Sequence, residues 1–222
     1  MADITIYGLS GWKRSGKDTV ANFLVENHGF KRLAFADPLK EGVARDFKIE
    51  RASIDDPALK EAPLLQMPVA PKDAYSRMIA EFMIQEFRTK GGGQPTSFNY
   101  WDGKFYGIVN NRSEPLYWTR RALCILEGST KRSTDPDYWV KQAVAKAEPR
   151  GLYVVSDLRY KNEAESLRRF GGDGVKLIRV NRFDSSPSSD PSERDLDDYD
   201  FDVVIENRGT ISDLYAQASV LL

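Results

Sequence analysis

The sequence is poor in the side chains that most often carry covalent or redox chemistry, with one cysteine, Cys124, and one histidine, His28. A single cysteine excludes an internal disulfide and any multi-cysteine zinc site. A single histidine makes a Ser-His-Asp arrangement or a His-based metal centre depend on His28 alone. Charge of one sign is lacking as well. The chain has 32 Lys+Arg against 33 Asp+Glu, a formal net charge of -1, without the basic excess of a dedicated nucleic-acid binder. No apolar run approaches the roughly 18 residues of a membrane span, and the opening residues, Met1 to Tyr7, show neither the basic nor the apolar segment of a secretory signal. These absences point to a reduced, cytoplasmic protein with no membrane partner and no direct nucleic-acid binding. Its chemistry has to come from carboxylates, Lys, Arg, hydroxyls and backbone.

What is present is a regular alternation. The 222 residues, 41% hydrophobic, suffice for one domain with a real core and a sizeable insertion. Ile4 to Leu9 reads as a buried strand and Lys17 to Asn27 as a helix stopped by Gly29. Lys31 to Ala36 reads as a second strand, and Asp37-Pro38 as a cap and first position for a helix towards Phe47. Residues 48–118 break the pattern. Four prolines fall in 48–73, Tyr75, Met78, Ile79, Phe82 and Phe87 make an amphipathic helix, and Trp101-Asp102-Gly103-Lys104 makes a hairpin turn, so this stretch is an inserted helical and hairpin region. Helices follow over Thr119 to Glu127 and after Asp135-Pro136. Then come a strand at Leu152 to Ser156, a helix at Asn162 to Phe170, a strand at Val175 to Val180, a mobile loop at 182–198 that is a candidate lid, with Arg182 and Arg194 in it, and a strand at Phe201 to Ile205. A capping box at Thr210 and Asp213 starts the last helix. Strands alternating with helices imply an α/β three-layer sandwich around a five-stranded parallel sheet. Sites in such sheets lie beyond the carboxyl ends of the strands.

Between the first strand and the first helix stands Gly11-Trp12-Lys13-Arg14-Ser15-Gly16-Lys17-Asp18-Thr19, a glycine, four residues, then Gly-Lys. In such a loop the glycines let backbone N–H groups curl around phosphate oxygens, and the helix N-terminus adds partial positive charge. The spacing therefore makes Gly11, Arg14, Ser15, Gly16, Lys17, Asp18 and Thr19 candidates for binding a nucleoside triphosphate, with Lys17 reaching its β and γ phosphates. Asp18 follows the lysine where Ser or Thr usually meets magnesium, so either Thr19, one place on, or Asp18 through water is the metal contact. The plain alternative is a turn that needs glycines for sterics alone.

A second constellation ends the third strand: Asp157-Leu158-Arg159, with Asn162 and Glu163 opening the next helix. An acidic strand end beside a phosphate loop organises magnesium directly or through water, and the arginine fork suits a phosphate. The alternative is a helix-capping Asp157 with Arg159 and Glu163 in a surface pair. Arg120 and Arg121, Trp139, His28 and Cys124 have bland readings: solvated surface, core, a helix-dipole partner and packing.

In combination these segments resemble the deoxynucleoside monophosphate kinases of tailed bacteriophages. The likeness is carried by Gly-x-x-x-x-Gly-Lys-Asp-Thr, Phe35-Ala36-Asp37-Pro38-Leu39-Lys40, the Arg120-Arg121 helix, Asp135 to Val140, Val154 to Glu163 and Asp190-Pro191-Ser192-Glu193. The resemblance implies an adenylate-kinase-like P-loop fold, ATP as donor with Mg2+, and a deoxynucleoside 5′-monophosphate as acceptor for viral DNA precursors. It implies phosphate binding by Ser15 to Thr19, acceptor contacts at Arg120, Arg121 and Trp139, and active-site roles for Lys17, Arg121, Asp157, Arg159 and Glu163. It also implies host cytoplasm, with a homodimer frequent among such kinases. Gly128-Ser129 stand one residue further along than the Gly-Thr of the family, and are carried over as acceptor-side residues on that footing. The neighbouring readings are a P-loop kinase for another phosphorylated small molecule such as dephospho-coenzyme A, and a non-catalytic nucleotide-binding module. No Asn-Lys-x-Asp guanine-reading segment is present.

Overall fold

The computed structural model describes residues 4–64, 97–101, 104–109, 112–116, 118–183, 185 and 194–222. In chain order the first elements are β1 (Thr5–Ser10), α1 (Lys17–His28), β2 (Lys31–Leu33), α2 (Ala36–Asp46), α3 (Arg51–Asp55), β3 (Ser97–Trp101), β4 (Lys104–Val109) and β5 (Arg112–Leu116). Then follow α4 (Arg120–Thr134), α5 (Tyr138–Val144), β6 (Leu152–Val155), α6 (Lys161–Gly171), β7 (Val175–Arg182), β8 (Val203–Asn207) and α7 (Ile211–Ser219). Contacts gather the chain into two compact units, Met1–Pro38 with Pro136–Leu222, and Leu39–Asp135.

The first unit is built on a five-stranded sheet in the order β2-β6-β1-β7-β8. Every pairing in it is parallel. The alternation of side chains along β1 sends Tyr7 and Leu9 to one face, where they pack with Val20 and Leu24 of α1 and Leu214 and Ala218 of α7. The Tyr7 hydroxyl donates to the Leu221 carbonyl on that face. Gly8 points to the other face, where a Cβ would meet Leu158, Leu177 and, from α6, Leu167. Helices thus cover both faces, the three-layer α/β sandwich expected from the alternation.

Several boundaries differ from the sequence pattern because side chains take over backbone pairing. β2 stops at Leu33, since the next amides, of Phe35 and Ala36, donate to the Asp157 carboxylate at 3.1 and 2.9 Å. That carboxylate, and not Asp37, meets the first amide of α2, which opens two residues before Pro38. Likewise β8 begins at Val203 and not at Phe201, because the Asp202 carboxylate accepts from Leu177 N–H at 2.6 Å. Gly29 closes α1 at φ 70, and Thr210 and Asp213 cap α7 reciprocally, as the pattern required. α4 runs on past Glu127 to Thr134, so Asp135 is its C-cap and α5 starts at Tyr138 after Asp137.

The second unit has its own core of Val43, Phe47, Ile54, Trp118, Ala122, Leu123 and Leu126. In it, β3, β4 and β5 form an antiparallel three-stranded sheet with Trp101 opposite Lys104. The expected helix over Tyr75 to Phe87 and the Asp102-Gly103 turn itself lie outside the described residues. Cys124 is partly buried, and burial raises its thiol above the ordinary value, in line with a packing role. No helix among the described residues is long and apolar enough to cross a membrane.

Candidate active site

β1 delivers the chain to residues 11–16 through a backbone that ordinary side chains avoid. Gly11 has φ 156, Arg14 φ 69 and Gly16 φ 102. A Cβ on Gly11 would stand 2.4 Å from the Val180 carbonyl and 2.6 Å from Ser15 Oγ, and one on Gly16 would stand 2.6 Å from Asn207 Nδ2. Both glycines are therefore demanded by close approach as well as by conformation. Ser15 N–H closes the loop on the Trp12 carbonyl at 3.0 Å, and Asn207 Nδ2 donates to the Ser15 carbonyl at 2.8 Å.

Two features of this loop suit an oxyanion. Gly16, the N-cap of α1, supplies no side-chain hydrogen bond, so the helix keeps its first-turn N–H groups uncapped. Ser15 is 1% exposed, yet its Oγ has no hydrogen-bond partner. Buried hydroxyls are ordinarily paired, which makes this one a candidate to meet a ligand oxygen. Lys17 lies partly buried at the helix start, its ammonium 2.9 Å from the Asp18 carboxylate. Next to the loop is a cavity of about 300 Å³ lined by residues 14–19 and by Arg182, Asn207, Gly209, Thr210, Ile211 and Leu214. The residues contributed by β7, β8 and α7 were missed by motif reading. The rule that ligands meet the carboxyl ends of strands would have pointed to Asn207, the last residue of β8.

β6 lies beside β1 in parallel register, Gly8 opposite Val155. The chain leaving β6 therefore emerges about 5 Å, one strand spacing, from the chain leaving β1, and it carries Asp157 and Arg159. Asp157 holds the two amides of Phe35 and Ala36. Burial pushes its carboxyl above the ordinary 3.8, while those two amides and the Arg159 charge pull the other way. Glu163, 4% exposed, accepts from the Arg159 and Tyr160 amides at 2.9 and 3.1 Å with a single oxygen. Both carboxylates thus set the backbone of this corner, and the Arg159 side chain is exposed on it. The capping alternative is met differently from its statement: Asp157 serves α2 and not the helix that follows it, and Glu163, buried at the first turn, caps that helix.

For a metal, the described residues contain no group of three or more His, Cys, Asp and Glu side chains suited to hold one. Asp18, Thr19 and Asp157 offer only hard oxygen donors, which suits magnesium, an ion that takes most of its shell from phosphates and water.

The remaining candidates fall as follows. Trp139 is 3% exposed, in the place its core reading assigns. In the other unit, Thr119 caps α4. Arg120 donates to Ser53 Oγ and the Leu59 carbonyl, and Arg121, half-exposed, pairs with Glu61 at 3.5 Å. Gly128 and Ser129 lie within α4, where the Ser129 hydroxyl donates to the Leu126 carbonyl at 3.0 Å.

Comparison with known proteins bears on this site. Residues 5–65, which include the loop, match the family model described as deoxynucleotide monophosphate kinase. The deoxynucleotide monophosphate kinase of Enterobacteria phage T4 is 26% identical, with 94% of this chain and 95% of that one covered. A protein of Acanthamoeba polyphaga mimivirus, provisionally given the same name, is also 26% identical, with 96% and 94% covered. Among solved structures, dephospho-CoA kinase from Campylobacter jejuni shares 16% identity at a TM-score of 0.41, over 99% of this chain and 96% of that one, a likeness too distant to bear on acceptor or activity. The resemblance seen in the motifs thus extends over nearly the whole of both chains in the viral relatives.

Proposed function

We propose that this chain is a deoxynucleoside monophosphate kinase: it transfers the γ-phosphoryl group of ATP to an oxygen of the acceptor's 5′-phosphate, yielding ADP and a deoxynucleoside diphosphate. The observation that carries the reading is the strained loop at 11–16, with its unpaired buried Ser15 hydroxyl and uncapped helix, opening on a cavity of nucleotide dimensions. The likeness to viral deoxynucleotide kinases supplies the acceptor class.

The acceptor phosphate is already an anion, so the reaction needs no strong base. The difficulty is to bring two sets of negative charge together in line. The loop amides and Lys17 hold the donor's phosphates and withdraw charge from the bond that breaks. The cavity towards Asn207, Gly209, Thr210 and Ile211 receives the donor's nucleoside. Arg159, presented by the β6 corner, grips the acceptor phosphate. A magnesium ion, with Thr19 or a water on Asp18 completing its shell, would neutralise the phosphate oxygens during transfer.

The test is an ADP-release assay coupled to each of the four common deoxynucleoside monophosphates and their ribose counterparts. ADP release dependent on at least one deoxynucleotide, with the diphosphate formed in equal amount, is expected. Release driven by dephospho-coenzyme A alone would replace the acceptor. Tight nucleotide binding with no transfer to any acceptor would leave a binding module.

A further inference from the structure

The phosphate loop needs holding. Arg14 sits in the left-handed region without being glycine, among two glycines that are also at positive φ, and such backbone persists only where its surroundings determine it. Asn207 holds one end of the loop. Its tip is held by a segment outside every motif read from the sequence. Trp12 Nε1 donates to Asp197 Oδ1 at 2.9 Å, and the Arg179 guanidinium donates to the same oxygen at 2.8 Å. Arg179, 8% exposed on β7, also reaches Ser10 Oγ at 3.3 Å, and its guanidinium carbon lies 5.5 Å from the centre of the Trp12 ring. The indole is thus fixed at its N–H by a carboxylate and across its face by a cation.

The turn that carries Asp197, residues 194–198, is itself anchored. Leu196 between the acidic residues is 2% exposed. Asp195 accepts from Lys161 N–H at 2.7 Å and Asp198 pairs with the Lys161 ammonium at 2.8 Å, both at the first residue of α6. The sequence pattern placed 182–198 in one mobile loop. Its last five residues are instead a platform resting on α6 and the core, and 184 and 186–193 lie outside the described residues.

We infer that Asp197 is a positioning residue for nucleotide binding: through Trp12 it presets the phosphate loop before the donor arrives. This rests on the kinase reading of that loop. Preorganisation of this kind strengthens binding of every phosphate-bearing ligand of the loop and leaves the chemical step alone.

The test compares the full-length wild type with Trp12→Phe, Asp197→Ala, Asp197→Asn and the Trp12→Phe/Asp197→Ala double variant. ADP affinity is measured by calorimetry, and kcat and KM for ATP and for the acceptor by the coupled assay. Trp12→Phe keeps an aromatic face for Arg179 and leaves the Arg179–Asp197 pair in place, while it loses the indole donor together with the five-membered ring that carries it, so it is the variant least exposed to misfolding. It is expected to weaken ADP binding and raise KM for ATP by about five- to ten-fold, the effect of one lost hydrogen bond, with kcat and the acceptor KM within about two-fold. Asp197→Asn, which still offers an acceptor to the indole, should recover most of the affinity lost in Asp197→Ala. The double variant should be no weaker than Asp197→Ala, because both changes remove one interaction. Trp12→Phe binding ADP as tightly as wild type, or losses that add in the double variant, would overturn the inference. The ADP titration needs no acceptor. A wild type that binds ADP but phosphorylates no deoxynucleotide would therefore sink the acceptor assignment while the titration still decides on Asp197.

Discussion

Between β1 and α1 the chain passes through three positive-φ residues and enters a helix with no side-chain cap. Between β6 and α6, one strand away, no residue has positive φ, and four amides are met by carboxylates: Phe35 and Ala36 by Asp157, Arg159 and Tyr160 by Glu163. The first corner holds unsatisfied hydrogen-bonding capacity in a strained backbone, and the second spends its acids on amides, Glu163 on its own and Asp157 on those of the β2–α2 junction. A corner built for a ligand leaves groups unpaired that folding alone would have paired. A corner built to display one side chain spends its other polar groups on rigidity. The difference supports the proposed ligand binding by the backbone and lysine of 11–17, and it shows Asp157 and Glu163 holding backbone amides.

Removing Lys17 should separate the two corners most sharply. Lys17→Ala is expected to lower kcat by about a hundred- to a thousand-fold, about 3–4 kcal/mol of transition-state stabilisation. Its stability should stay within about 0.5 kcal/mol of wild type, as for other partly exposed positions. Steady-state kinetics and a thermal melt on one preparation decide this, and near-normal turnover would remove Lys17 from the chemistry.

Asp157→Ala should behave in the opposite manner. It strands two amides at the β2–α2 junction and is expected to cost about 2–3 kcal/mol of stability, a fall in Tm of about 4–10 °C for a chain of this size. The pH dependence has a definite sign. Burial raises the Asp157 carboxyl above 3.8, so the folded protein binds that proton more tightly than the unfolded chain. The group's contribution is full below the unfolded value and is lost as pH rises through the folded one. Asp157→Asn does not titrate, so wild-type stability should decline relative to it as pH is raised from about 3.8. Urea melts across that range would show a constant gap if Asp157 were unperturbed.

These contrasts also explain what the sequence could disclose. The places of Gly11, Gly16 and Lys17 were legible because they are local: a turn geometry and a helix start set by the seven consecutive residues from Gly11 to Lys17. Gly29 and the Thr210–Asp213 cap were legible for the same reason. Asp157 was legible as important, though its partners were not, because the amides it serves belong to the β2–α2 junction more than a hundred residues earlier. Asp197, Arg179 and Asn207 gave no motif at all. Each acts on the phosphate loop through a contact that exists only once β7 and β8 stand beside β1. The three-stranded sheet of β3, β4 and β5 was foreseen only as a hairpin, since its strands are short and lack clean alternation.

Within the β6 corner, Arg159 is the side chain that its neighbours' carboxylates put on display. Arg159→Ala is expected to raise the acceptor KM by about ten-fold, the worth of one charge-assisted hydrogen bond at about 1.5 kcal/mol, with ADP affinity within about two-fold. Calorimetry giving the reverse order, a lost donor and a retained acceptor, would move Arg159 to the donor side and dissolve the division of labour between the corners.

The smallest expected effect tests the comparison most directly. Ser15 Oγ is buried without a hydrogen-bond partner, so its hydroxyl contributes a desolvation penalty and no bond to folding. Ser15→Ala should therefore leave Tm unchanged or raise it slightly, by no more than a few tenths of a kcal/mol in stability. The same change should weaken ADP by about three- to ten-fold, because the hydroxyl's bond forms only with the phosphate present. A structural hydroxyl would give the opposite pair of results, a lower Tm with unchanged affinity. Gly11 supplies the geometric reason the hydroxyl can sit there at all: its missing Cβ leaves the space that Ser15 Oγ occupies.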